Sequence, residues 1–193
     1  MTPYKLQRCD WGPGGGELMM RYHDEEWGKP VHDDNTHFEF LVLEMFQAGL
    51  SWLTVLKKRE AFRQAFVNFG PKRVAKFGAE DVARLLSDAG IIRNRLKIES
   101  AVNNAIRFLE VQKEFGSFDK YIWGFVDGKP VVNAWKDISG IPPRTELSDR
   151  ISADLKKRGF KFVGSTIMYA HLQATGLVND HVTGCFRYSQ LAI

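Results

Sequence analysis

The chain has 193 residues, 44% hydrophobic and 12% aromatic, and 27 Lys and Arg against 23 Asp and Glu give it a formal charge of +4. Such a composition can fill the core of one domain and excludes intrinsic disorder, while the absence of any run of about 18 apolar residues excludes a spanning helix. The charge leans toward polyanionic partners but falls well short of a histone-like surface. Met1 to Arg8 lacks the apolar centre of a secretory leader, so a cytoplasmic protein is expected.

Taken in chain order, the apolar period is helical almost throughout. Pro13 to Gly16 reads as a short turn. Asp34 and Asn35 are candidate caps for a helix with Phe38, Leu41, Val42, Met45 and Phe46 on one stripe, ending near Gly49. Two short helices are expected next, Trp52 to Lys58 and Arg59 to Asn68. Pro71 is suited to open the following turn of helix. Ala79 to Ala89 forms another helix by its spacing, with Gly90 as a left-handed residue at its end. A longer helix runs from about Asn94 to Phe115. Tyr121 to Val132, interrupted by Gly124, Gly128 and Pro130, reads as a hairpin or irregular segment. Helical spacing returns over Ser148 to Arg158 and over Val163 to Thr175, where Gly176 stops it. The expected fold is all-α, with no segment suited to a parallel sheet.

The segment Val82 to Ile98 is two helices joined by almost nothing. The free amides of such a turn and of the next helix start point outward together and suit a phosphate. Gly90, Ile91, Ile92, Arg93 and Lys97 are therefore candidate DNA-binding residues, with Arg95 beside them. A plain helix, glycine stop and second helix would read the same way.

Cys9 and Cys185 are the only cysteines. A disulfide between them is arithmetically possible, but a cytoplasmic chain meets reducing conditions. His23 follows the first, and His181 precedes the second by four residues, so two thiols and two imidazoles could meet at one tetrahedral ion. The same spacing also occurs by accident. Four protein ligands would leave no open position, which makes any such ion structural. His32, His37 and His171 lack similar pairing and read as surface or packed residues.

Several blocks together resemble one family. They are Arg8-Cys9 with Trp11, Tyr22 to Gly28, Gln47 to Trp52, Thr54 to Arg59, Asp88 to Arg93, Lys156 to Gly164, and Gly176 to His181 with Gly184-Cys185. In this order and over nearly the whole chain, they are similar to the DNA-3-methyladenine glycosylase I family of the helix-hairpin-helix superfamily. The hairpin departs from the superfamily pattern, with Ile92 where a second glycine is usual.

The resemblance implies a helix-hairpin-helix glycosylase fold forming one catalytic unit over residues 1–193. Its central bundle would span about 35–120, with the terminal segments joined as a zinc-bearing subdomain. It implies one structural Zn2+ held by Cys9, His23, His181 and Cys185, and a base pocket of Trp11, Tyr22, Trp27, Glu44 and Trp52. Glu44, Tyr22 and Trp52 would carry the catalytic role. The implied reaction is hydrolytic release of 3-methyladenine from alkylated double-stranded DNA by a monomer, without strand cleavage. Met45 and Phe46 are bulkier or more apolar than expected beside Glu44, and His171 and Thr175 also look unusual.

The chemistry fits the residue types. An adenine methylated at its minor-groove nitrogen is cationic and already a good leaving group. Ring faces attract a flipped cationic base by roughly 0.5–2 kcal/mol per favourable contact. Each aromatic taken alone is equally an ordinary core residue. Glu44, on a largely buried helix, needs a partner: either the amino edge of a base, or Lys57 or Arg59 in a salt bridge. Gly49 and Leu50 are placed to enter the gap left by a flipped base. Lys57, Lys58, Arg59, Lys156, Lys157 and Arg158 are candidate backbone contacts or merely solvated charges. Asp119 lies about as far past the hairpin as the superfamily's catalytic Asp, yet it also suits a helix cap. Two other readings remain at this stage, a non-catalytic zinc-containing DNA-binding module and a metal-dependent hydrolase with an open zinc site.

Overall fold

The computed structural model describes residues 6–192, so most of the segment read for a leader lies outside the described residues. Eleven α-helices form among them. Pro13 to Gly16 is not a simple turn: α1 (Trp11–Gly14) and α2 (Gly16–Glu25) abut there, and Gly16 takes a positive φ of 80°. The central element is α3 (Asp34–Gln47), capped by Asp33, whose side chain accepts from the Thr36 amide at 2.8 Å.

Trp52 to Asn68 is not two helices. One continuous helix, α4 (Trp52–Ala65), starts at the Ser51 cap and ends where Val67, Asn68 and Phe69 adopt φ of 50°, 55° and 51°. This left-handed turn costs about 1–2 kcal/mol per residue. It swings Phe69 fully into the core, where its ring stacks on Phe66 at 5.8 Å. Then follow α5 (Pro71–Val74), α6 (Ala79–Ser87) and the long α7 (Arg95–Phe115), capped by the Asn94 side chain on the Lys97 amide.

The Tyr121 to Val132 stretch is not a hairpin. Tyr121 lies in α8 (Phe118–Trp123), and β1 (Val131–Val132) pairs in parallel with β2 (Val178–Asn179). A two-residue ladder between distant segments leaves no period for a sequence reading to find. Helices α9 (Glu146–Lys157), α10 (Ser165–Ala174) and α11 (Phe186–Leu191) complete the chain.

Two apolar clusters share α3. The larger one holds Phe38, Leu41, Val42, Met45 and Phe46 with residues of α4 to α10, so Met45 and Phe46 are core residues and not pocket wall. The smaller one joins the chain ends: Cys9, Met19, Tyr22, Trp27, Val182 and Cys185 pack with Phe40 from α3, Leu56 from α4 and Ala174 from α10. Trp52 touches both clusters.

The N-terminal segment crosses the end of α10 at close range. Gly28 donates to the Gln173 carbonyl at 3.1 Å and Val31 to the Thr175 carbonyl at 3.0 Å. At the crossing, Gly176 has a φ of 73°, and a Cβ there would lie 2.3 Å from the Lys29 carbonyl carbon. Gly176→Ala therefore combines a forbidden backbone with a clash against main chain. It is expected to lower stability by about 3 kcal/mol or more, read as the urea midpoint.

Candidate active site

The seam between the two clusters opens into a cavity of about 270 Å³ lined by Trp11, Tyr22, Trp27, Glu44, Gln47 and Trp52, with Met19, Ala170 and Gln173 completing it. The five residues expected to form a base pocket therefore lie on one wall system. The rings of Trp11 and Trp27 meet edge to face at 4.9 Å, and Tyr22 lies 6.2 Å from Trp11 and 5.4 Å from Trp52. Behind Trp52 stacks Phe40 at 6.5 Å, and the Arg59 guanidinium covers Phe40 at 5.2 Å. These layers back the Trp52 ring.

Glu44 enters this aromatic box from α3 and is only 5% exposed. Among the described residues its carboxylate has no hydrogen-bond or ion-pair partner, and burial alone pushes its pKa up to about 8. Neither salt-bridge partner suggested by the sequence is present. Arg59 instead bonds Glu26 and Glu39, both at 2.5 Å. Burial would lower the Arg59 pKa, but the two carboxylates outweigh it and hold the guanidinium charged. The Trp52 indole N–H is buried and faces the Tyr22 hydroxyl. Burial holds the Tyr22 hydroxyl well above its usual value, so it is a neutral phenol in the pocket. The cavity thus offers an unpaired acid beside several aromatic rings.

Beside the pocket, Cys9, His23, His181 and Cys185 are buried together, with one ligand atom from each lying within 4.8 Å of all the others. Both thiols are free. Each Sγ is 3.5 Å from His181 Nδ1, and Cys185 Sγ is 3.5 Å from His23 Nε2. The outer nitrogens are anchored: His23 Nδ1 faces Asp24 at 2.8 Å and His181 Nε2 faces the Trp27 carbonyl at 3.1 Å. Asp24 is in turn held by Arg8, whose Nη2 donates to it at 2.7 Å. Oriented imidazoles backed by a carboxylate or a carbonyl are the usual support for a metal site. These four residues could hold a metal ion.

The hairpin departs from expectation in detail. Helix α6 ends at Ser87, and Gly90 does not take a positive φ. Its need for glycine is steric, since a Cβ would lie 2.9 Å from Asp88 Oδ1 and 3.0 Å from the Ala61 methyl. The Gly90 amide donates to Asp88 at 2.7 Å and the Ile91 amide to the Asp88 carbonyl, so neither is free for a phosphate. Ile91 itself is core. The Ile92 and Arg93 amides have no internal partner among the described residues, and the Arg93 side chain is exposed.

Several cations are committed to partners within the protein. Lys97 is 7% exposed, and its Nζ donates to the carbonyls of Phe46 at 2.9 Å and Ala48 at 2.6 Å. Lys58 donates to the carbonyls of Ala89 and Gly90, and Arg158 pairs with Asp154 and Glu114. Lys57, Lys156 and Lys157 have no ion-pair partner among the described residues. Gly49, with a φ of 83°, turns the chain beyond α3 and presents Leu50 at 44% exposure. Asp119 lies outside the pocket, bonded to His32 at 2.9 Å. His37 and His171 are packed inside.

Sequence reasoning missed Gln47 and Gln173. Gln47 sits one helical turn past Glu44, and that i, i+3 spacing is the signal that could have placed it on the pocket face. Gln173 carried no such signal. It is aimed by Asp180, a fully buried carboxylate that accepts from Gln173 and Trp135 at 2.7 Å each, as well as from Asn133 and Tyr169.

Comparison with known proteins agrees with this geometry. A family model described as methyladenine glycosylase matches residues 11–188. The Escherichia coli (strain K12) DNA-3-methyladenine glycosylase 1 is 49% identical over 183 residues, covering 95% of this chain and 97% of that one. A crystal structure of a 3-methyladenine DNA glycosylase I superposes with a TM-score of 0.90 at 50% identity, covering 93% and 98% of the two chains. A variant of another such enzyme, solved in complex with 3-methyladenine, gives 0.90 at 37% identity, covering 93% and 97%. The chain belongs to the methyladenine glycosylase family.

Proposed function

We propose that this protein is a DNA-3-methyladenine glycosylase that flips an alkylated adenine out of duplex DNA and releases it by hydrolysis, leaving the strand intact. The observation that carries this reading is Glu44, a buried carboxylate without a protein partner, facing a nucleobase-sized cavity walled by aromatic rings. When ionised, such a group is satisfied by a ligand with hydrogen-bond donors or positive charge. Relatives named for the same activity, one of them holding 3-methyladenine, support the choice of base.

The methylated nucleotide enters as a cation. Trp11, Tyr22, Trp27 and Trp52 offer it ring faces, and ionised Glu44 accepts from its amino edge. When the glycosidic bond breaks, its electron pair passes to the ring and neutralises the charge. Water adds to the sugar carbon and loses a proton, giving an abasic site and neutral base. No general acid is needed for a leaving group of this kind. Asp119, bonded to His32 outside the cavity, is not asked to act. Strand cleavage would need a lysine nucleophile, and the Lys97 ammonium beside the hairpin is already committed to two carbonyls. The exposed Arg93, the Ile92 and Arg93 amides and the Leu50 corner supply contacts to duplex DNA in this reading, as a helix-hairpin-helix element and a wedge. The enzyme works as a monomer in the cytoplasm in this reading, and among the described residues no helix is long and apolar enough to cross a membrane.

The ion suited to the four-residue cluster is one structural zinc. Tetrahedral zinc with bonds of about 2.3 Å to sulfur and about 2.05 Å to nitrogen requires S···N separations of about 3.5 Å. That is the spacing of Cys9 and Cys185 from His181, and of Cys185 from His23. Bound there, the ion would tie the chain ends together and supply no reacting group.

Three outcomes test this reading. Incubation with methylated duplex should release 3-methyladenine, and Glu44→Gln should lower single-turnover release at least 100-fold; no release by the wild-type chain would sink the proposal. Second, Glu44 should leave a pH signature. Its carboxyl is raised from 4.5 to about 8 in the folded protein, so folding loses stability as pH rises through that window, where the unfolded chain ionises first. Glu44→Gln should consequently stabilise the free protein by roughly 3–5 kcal/mol at pH 9 and hardly at all at pH 4, while wild-type kcat/KM should rise toward a plateau above pH 8. Third, metal analysis should find one zinc per chain, lost in Cys185→Ala, and strong chelation should lower the melting temperature.

A further inference from the structure

Two lysines, Lys97 buried and Lys58 half-buried, are tied to main-chain carbonyls around the hairpin and the pocket corner. Lys58 on α4 reaches the hairpin turn, giving its ammonium to the carbonyls of Ala89 at 2.9 Å and Gly90 at 3.1 Å. Lys97, in the first turn after the hairpin, reaches the end of α3 and bonds the carbonyls of Phe46 and Ala48. Those carbonyls lie just past Glu44 and just before Gly49 and Leu50. Helix α3 ends there with carbonyls that lack intrahelical partners, and a cation at that end is favoured. Beyond Lys97's grip the chain turns at Gly49, where a Cβ would meet nothing, and Leu50 stands open to solvent. The corner has little packing of its own. Its backbone position depends on the Lys97 bonds and on the Leu50 amide bonded to the Gln47 carbonyl at 2.6 Å.

We propose that Lys97 is a positioning residue that couples DNA binding at the hairpin to base extrusion at the Gly49-Leu50 corner, by fixing that corner to the first turn of α7. The inference rests on the reading of Leu50 as the wedge that fills the gap of the flipped base. It replaces the phosphate contact that the position of Lys97 in the sequence suggests. Two of the three ammonium donors point inward to main-chain carbonyls, so the cation serves the protein's own geometry. Because the ammonium holds both the last turn of α3 and the residue before Gly49, a shift of the hairpin on binding a phosphate carries the corner with it.

The test compares wild type with Lys97→Met, which keeps the stem and removes the ammonium, and with Lys97→Arg, which keeps the charge should the methionine variant not fold. Three quantities are read: the affinity for free 3-methyladenine by tryptophan fluorescence, the salt dependence of binding to undamaged duplex, and single-turnover release from methylated duplex. Lys97→Met should bind the free base and show the salt slope of wild type, while releasing base at least 10-fold more slowly at saturating enzyme. The loss should not add to that of Leu50→Ala in the double variant, because both changes disable one wedge. Lys97→Arg should recover part of the rate. A salt slope reduced by about one, with equal weakening on all duplexes, would identify a phosphate contact and overturn the proposal. So would parallel loss of free-base binding, which marks a merely structural role, or additive losses with Leu50→Ala. Leu50→Ala alone reports on the wedge: an unchanged rate removes that reading, and a slowed Lys97→Met beside it overturns the coupling.

Discussion

One constraint organises the molecule: a carboxylate, Glu44, is buried on the central helix without a partner. Leaving an ionised side chain in that state costs several kcal/mol, and the protein meets the cost by keeping the acid protonated, with its pKa near 8. The surroundings maintain the arrangement. Arg59, close enough in sequence to neutralise Glu44, is held away by Glu26 and Glu39 and serves instead as the back layer behind Phe40 and Trp52. The ion pairs that stabilise the pocket wall are therefore also what leaves the pocket acid free.

The same constraint explains why the chain ends are clipped together. Trp11, Tyr22 and Trp27 come from α1, α2 and the loop after them, segments too short to hold a cavity wall by themselves. They are fixed by a small cluster whose centre is the two cysteines and two histidines, and His181 bonds the Trp27 carbonyl directly. An ion bound there would support three of the ring walls without touching the reacting atoms. The cavity lies at the seam of two cores because only such a seam brings aromatic residues from the terminus against an acid from the central helix.

How far the sequence reveals this depends on the range of the interaction. Helical periodicity is local, so α3, α7, α9 and α10 were legible within a few residues. The stop at Gly176 was legible from residue type alone, whereas the cap of α3 falls on Asp33, one residue before the expected Asp34. The Cys/His cluster was legible in part from the spacing of His181 and Cys185, and its pairing with Cys9 and His23 came from the family resemblance. Long-range geometry was not. Gly90 looks like a left-handed stop, yet its glycine is required by the Ala61 methyl from another helix. Lys97 looks like a phosphate ligand because it follows the hairpin, and Lys58 looks like a backbone contact because it lies in a run of cations. Nothing local shows that carbonyls from the end of α3 or from the turn itself await them. The left-handed turn at Val67 to Phe69 violates propensity at three residues, and the buried Phe69 ring and the Arg73 bond to the Val67 carbonyl, both set by tertiary structure, help to offset that.

The energetics of the pocket also bear on turnover. On the proposed function, discrimination in favour of a cationic base requires Glu44 ionised, and in the empty pocket that form is disfavoured below about pH 8. Part of the binding energy of the charged base is therefore used to drive the proton off Glu44. Bond cleavage removes the charge from the base, and the reason for keeping Glu44 ionised goes with it. Proton return to the carboxyl then weakens the hold on the product. A pocket built from permanent charge would bind substrate more tightly but would retain its product by the same interaction. Burial of the acid gives a site that favours the charged reactant over the neutral product, at the expense of stability in the empty enzyme.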